Sequence, residues 1–160
     1  MLILRMDMET VFDGIVERLL EAPYWVIDFL PRQVPKDSGG QFFAVEKYYL
    51  EEPRYGRLCR QFADVLLKLN CYYDMLVSLD GGDEWLSPDP GMLEKWLTSS
   101  LRHGDMYALI EAEDALITAR GGDIYMTLYN PSPALLDLVH QLSSAAGLFL
   151  WQPPETPSKC

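Results

Sequence analysis

"MYALIEAEDALITARGGDIYMTLY", residues 106–129, decides how the rest of this chain is read. Taking Gly121-Gly122 as a two-residue hairpin turn sets Ala119 opposite Ile124, Ile117 opposite Met126 and Ala115 opposite Leu128. Every member of that face is apolar. The other face receives Arg120 opposite Asp123, Thr118 opposite Tyr125 and Leu116 opposite Thr127. A second tight turn at Glu113-Asp114 adds Ala112 opposite Ala115, Ile110 opposite Ile117 and Ala108 opposite Ala119. Glu-Asp is a poor primed turn, but a one-residue slip would bury Glu111 and Arg120, so the facing is strongly specified. The stretch therefore predicts a three-stranded meander with an oily inner side. Its outer side carries Tyr107, Glu111, Arg120, Tyr125 and Tyr129.

The glycines belong to the turn. A phosphate-cradling loop leads from a strand into a helix N-terminus, whereas these lead into another strand. Asp123 then stands across from Arg120 as a cross-strand ion pair. A second Gly-Gly-Asp, at 81–83, does precede a helix, but Asp80, Asp83 and Glu84 crowd it and would repel a phosphate. Their spacing lacks the alternation of an EF-hand loop, so a metal held by these three is the weaker alternative to a solvated turn.

Downstream, "YNPSP" caps a helix whose stripe is Leu135, Leu138, Val139, Leu142 and Ala146, Gly147 stops it, and "LFLW" makes a last strand. Upstream, a helix over about 8–22 carries Phe12, Ile15, Val16, Leu19 and Leu20 and stops at Pro23. "YWVIDFL" (24–30) follows as a strand, with Trp25, Ile27 and Phe29 on one face and Tyr24, Val26 and Asp28 on the other. The aromatic "FFAVEKYYL" (42–50) reads as a second strand pairing with it. From Pro53 a helix buries Tyr55, Leu58, Cys59, Phe62, Val65, Leu66 and Leu69, with Arg54, Arg57 and Arg60 beside that stripe to pair with Glu51, Glu52 and other local carboxylates. A strand at 73–79 and a helix from Pro90 to Leu101, capped by Asp89 and ended by a left-handed Gly104, complete the order α-β-β-α-β-α-β-β-β-α-β. This is an α+β domain over 1–152: a mostly antiparallel sheet, its meander at about 106–129, covered by helices. Residues 153–160 form a proline-rich, flexible C-terminal tail.

The bulk numbers narrow the function. The 160 residues suffice for one domain with a sizeable core, and 49% hydrophobic content excludes general disorder. The net charge of −11 repels nucleic acid and anionic membranes, and suits a solvated surface or a basic partner. No apolar run reaches spanning length, and the opening is too short and charged for a secretory signal. With Met1, Met6 and Met8 close together, a start a few residues downstream of Met1 is left open. Cys59, Cys71 and Cys160, odd in number and without a C-x-x-C pair, fit reduced thiols in a cytoplasm. No cofactor is implied.

No catalytic motif stands out. His103 falls at a helix end and His140 on a helix flank, and no nucleophile elbow or Walker loop occurs. Asp28 and Glu46, each amid aromatics, are the pair that could do acid–base work if they met in a cleft. Otherwise they are solvent-facing.

The stretches "WVIDFLPRQVP…GQFFAVEKYYL…LLKLNCYYDM" and "YMTLYNPSPALLDLVHQLSSAAGLFLWQP" resemble a group of small, uncharacterised proteins of Gram-positive anaerobes. The resemblance implies a bacterial, cytoplasmic origin and transfers no catalytic residue. Two expectations follow. The first is a non-catalytic acidic interaction domain, with an immunity-type inhibitor of a basic toxin or enzyme as one form, binding through Tyr107, Glu111, Arg120, Asp123, Tyr125 and Tyr129. The alternative is a small-molecule-binding or hydrolytic domain using Asp28, Glu46 or the Asp80–Asp83–Glu84 loop. Oligomeric state is left open.

Overall fold

The computed structural model describes residues 14–37 and 39–154. Phe12, the candidate start sites, Cys160 and most of the expected tail lie outside those residues. The described elements are α1 (14–20), β1 (Tyr24–Asp28), α2 (Gln41–Tyr49), α3 (Arg54–Asn70), β2 (Leu76–Ser78) and α4 (Pro90–His103). They continue with β3 (Asp105–Ile110), β4 (Ala115–Arg120), β5 (Tyr125–Tyr129), α5 (Pro133–Ala145) and β6 (Phe149–Trp151). The strands form one antiparallel sheet in the order β2-β3-β4-β5-β1-β6. It is an α+β domain built on the expected meander.

The meander keeps its predicted faces but not its predicted register. Ala119 lies opposite Met126, Ile117 opposite Leu128 and Thr118 opposite Thr127. Ile110 lies opposite Ala115, and Ala108 opposite Ile117. Both hairpins are thus shifted by two positions from the tight-turn pairing. A shift of two preserves the pleat, so each side chain stays on its expected side. The first turn widens into a 3-10 turn, Glu111–Glu113, closed by Asp114 in the left-handed region (φ 51°), which takes Ala112 out of the ladder. The second widens because Gly121 and Gly122 bond elsewhere. Gly121 N–H donates to the Gly104 carbonyl (2.7 Å) and Gly122 N–H to that of Leu101 (3.0 Å), fastening the turn to the end of α4. Arg120 therefore faces Asp105 rather than Asp123. Asp123 is instead a turn residue whose N–H donates to the Arg120 carbonyl at 3.2 Å.

Three helices cover the inner face. α4 and α5 contact the strands and α3 packs across both helices. The α3 stripe is buried as its period predicts, with Phe62, Leu66 and Leu69 meeting Ile27, Ile117 and Leu128 in one apolar cluster. The caps also fall where expected: the Asp89 side chain accepts from Met92 N–H (2.8 Å), and that of Ser132 from Leu135 N–H (3.1 Å). Gly104 differs. It is extended (φ −133°), and it ends α4 by donating to the Ser100 carbonyl. Of the α3 arginines, Arg54 pairs with Glu51 (3.2 Å) and lies over the Tyr48 ring, while Glu52 pairs with Arg102 of α4.

Residues 42–50 are the main departure. They form α2, not a strand. Both neighbours of β1 are already supplied by β5 and β6, so no sheet edge beside it remains. Gln41, Ala44, Glu46 and Lys47 are good helix formers, and the left-handed Gly39 and Gly40 reverse the chain immediately before them. The helix buries none of its side chains, and Phe43 is 69% exposed.

The outer face of the sheet is divided. α1 covers one half, where Val16 and Leu19 pack on Leu109 and Leu116, with Tyr107 and Tyr129 at the margin. A two-pronged Arg18–Asp114 pair (2.6 and 2.9 Å) ties α1 to the turn before β4. Among the described residues, the other half, over β5, β1 and β6, is bordered by Leu20 of α1 and by Phe42, Phe43 and Glu46 of α2.

Candidate ligand-binding groove

The half of the outer face over β5, β1 and β6 forms a groove of about 740 Å³, within the range of small-molecule and peptide sites. Its strands set the side chains by parity. On β1, Tyr24, Val26 and Asp28 point outward, because Ile27 belongs to the inner core. Register puts Tyr24 opposite Tyr129, Val26 opposite Thr127, and Asp28 opposite Tyr125. On the far side of β1, Trp151 lies opposite Val26. Phe42, Phe43 and Glu46 of α2 and the loop through Arg32 and Lys36 make the remaining wall.

Asp28 is the chemically unusual group. It is half-buried in the central strand of the groove, with β5 on one side and β6 on the other. One carboxylate oxygen accepts from Leu30 N–H and the other from Trp151 Nε1–H, each at 3.3 Å. Burial pushes its pKa up, against the opposing pull of the Leu30, Phe29 and Trp151 donors. The hydroxyls of Tyr125 and Tyr129 are also raised, chiefly by burial, with the Asp123 charge adding to the effect at Tyr125. The Tyr24 and Tyr129 rings lie 5.7 Å apart and tilted, an aromatic contact that fixes the rim.

Residues singled out in two different sequence contexts converge here. Asp28 and Glu46, the candidate acid–base pair, line the same groove as Asp123, Tyr125 and Tyr129 from the candidate docking set. The other three of that set are elsewhere. Tyr107 packs against the patch under α1, Arg120 is exposed opposite Asp105, and Glu111 is exposed in the 3-10 turn. Tyr24, Phe42 and Trp151 were not anticipated. The alternation of "YWVIDFL" did show Tyr24 beside Asp28, but nothing local shows that β1 lies between β5 and β6.

The first Gly-Gly-Asp turn is organised by Asp80. Its carboxylate accepts from Asp83 N–H (3.1 Å), Glu84 N–H (3.0 Å) and the Ser78 hydroxyl (2.8 Å), while Gly81 and Gly82 supply positive φ. The Glu84 N–H and the Ser78 hydroxyl contribute most to lowering the Asp80 pKa. Asp83 and Glu84 are exposed. Among the described residues no group of three or more His, Cys, Asp or Glu is placed to hold a metal ion.

Among the described residues, neither histidine lines the groove, and its hydroxyl groups are those of Thr127 and the tyrosines. What it offers is aromatic surface, a partly desolvated carboxylate and further acidic groups. Compared with protein-family models, curated proteins and solved structures, the chain matches none.

Proposed function

We propose that this protein is a non-catalytic, acidic interaction domain that docks a basic protein partner in the outer-face groove. Masking of a basic toxin or enzyme, as an immunity-type inhibitor does, is the role that suits it. The observation that carries the reading is the meeting of Tyr24, Tyr125 and Tyr129 with Asp28 and Asp123 in one groove, beside the patch that α1 covers. Tyrosine contributes rigid contact area with a polar tip. The net charge of −11 steers a cationic protein toward the domain. The described cysteines, Cys59 and Cys71, are free thiols, which suits a reducing cytoplasm.

The test is site-specific photo-crosslinking in the native cell, with a photoreactive residue replacing Tyr24 or Tyr125 and, as the control, the exposed Tyr72, which follows α3 and does not line the groove. One basic protein captured from the two groove positions and absent from position 72 is the expected result. Capture that is equal at all three positions contradicts the proposal.

A second reading draws on the groove's size and on Asp28 and Glu46 sharing it: a small-molecule or hydrolytic site. A metabolite that raises the unfolding temperature, with no protein captured at the groove positions, supports that reading instead.

A further inference from the structure

We infer that the groove seats an arginine side chain of the basic partner, its guanidinium paired with Asp28 and laid against Tyr125 and Trp151. The inference rests on the docking proposal above and specifies what the partner must present.

Geometry supplies the pairing. The Leu30 N–H and the Trp151 indole N–H each lie 3.3 Å from Asp28, one on each oxygen, the Phe29 N–H adds a further pull, and a carboxylate has roughly four acceptor sites. Acceptor capacity is therefore left on the carboxylate for a guanidinium N–H. Aromatic walls add stacking and cation–π attraction. These favour guanidinium over ammonium, since it is planar and more weakly hydrated and loses less on leaving water.

The fold uses the same combination within itself. Arg54 lies 3.5 Å from the Tyr48 ring centroid and pairs with Glu51. Arg102 lies 5.3 Å from the Tyr55 centroid and pairs with Glu52. In the groove, Arg32 stands in the wall and the Arg120 charge reaches Tyr125 and Tyr129, but no described arginine pairs with Asp28 or lies over a groove ring. Charge points the same way. Asp28 of β1, Glu46 of α2 and Asp123 of the turn before β5 face Arg32 and Lys36 of the loop, and none of these carboxylates forms an ion pair with those cations. The lining carboxylates outnumber the lining cations, within a strongly acidic chain.

The experiment titrates N-acetyl-arginine methylamide into the full chain while proton–nitrogen correlation spectra follow the Trp151 indole N–H and the Leu30 and Tyr125 amides. Saturable shifts at these three groups are expected, with affinity reduced at least tenfold in Asp28→Asn and in Tyr125→Ala. Well-dispersed spectra of both variants show that each remains folded. The inference is overturned by unsaturable or scattered shifts, by Asp28→Asn binding as tightly as the parent, or by N-acetyl-lysine methylamide binding equally well. Its failure is distinguishable from that of the docking proposal. A partner still captured at Tyr24 and Tyr125 in the Asp28→Asn protein retains docking and removes the arginine seat. Saturable arginine binding without any captured protein retains the seat and removes the protein partner.

Discussion

Leu19→Ala lowers the free energy of unfolding by about 2–5 kcal/mol, the range for emptying a fully buried leucine site. Leu19 is wholly inaccessible, and with Val16 it fills the outer-face patch over Leu109 and Leu116. The alternative anchor for α1 is the Arg18–Asp114 pair, which is short but solvent-exposed on both sides. Exposed pairs contribute about 0–1 kcal/mol even with good geometry. Denaturant unfolding of Leu19→Ala and Arg18→Ala therefore separates packing from pairing as the force that holds α1 on the sheet. The apolar contact is expected to dominate by at least twofold. Equal losses would mean that α1 is held by charge, and that the division of the face between the patch under α1 and the groove depends on ionic strength.

Gly121→Val costs about 3 kcal/mol, at the upper end for forcing extra atoms into a packed site. A Cβ at this position would lie 2.9 Å from His103 Cα and 3.0 Å from both Gly104 N and His103 C. All three are backbone atoms, so no side-chain rotation relieves the clash. The Gly121 N–H bond to the Gly104 carbonyl would be strained by the same displacement. Gly122 is the internal control. It has positive φ (84°) but nothing within 4 Å of a built Cβ, so Gly122→Ala incurs only conformational strain of about 1–2 kcal/mol. Urea midpoints of the two variants check the ranking. The consequence reaches the groove, because this turn sets the position of Asp123 and Tyr125.

Legibility followed the physics of each element. The α3 stripe was readable because an amphipathic helix packed on one side must repeat its apolar residues at helical spacing. The inner and outer faces of the meander were readable because parity survives any even shift. Its register was not, since the turns are closed by bonds that are remote in sequence, such as Gly121 to Gly104. Residues 42–50 have strand-like aromatics, yet β-propensity is realised only where a sheet edge is available. The groove was legible as separate faces. Its assembly depends on β1 entering between β5 and β6, a pairing that joins residues about a hundred positions apart and leaves no local trace. Tyr107 shows the converse. It shares the meander's outer face, but α1 packs over it.

Asp28 links the fold to the proposed role. Its raised pKa means that the native state holds a proton more tightly than the unfolded chain. The stability this contributes is full below the unfolded pKa and is lost as pH rises through the native one. The ionised carboxylate is therefore a cost to the empty fold at neutral pH, and one that a bound cation relieves. Carboxyl-carbon NMR titration of Asp28, with and without N-acetyl-arginine methylamide, measures this directly. The expected result is a pKa above the ordinary aspartate value of about 3.9 in the free protein, falling when the arginine probe is present. A free-protein pKa at or below that value, or one unmoved by the probe, would contradict the assignment of Asp28 as the groove's cation-binding group.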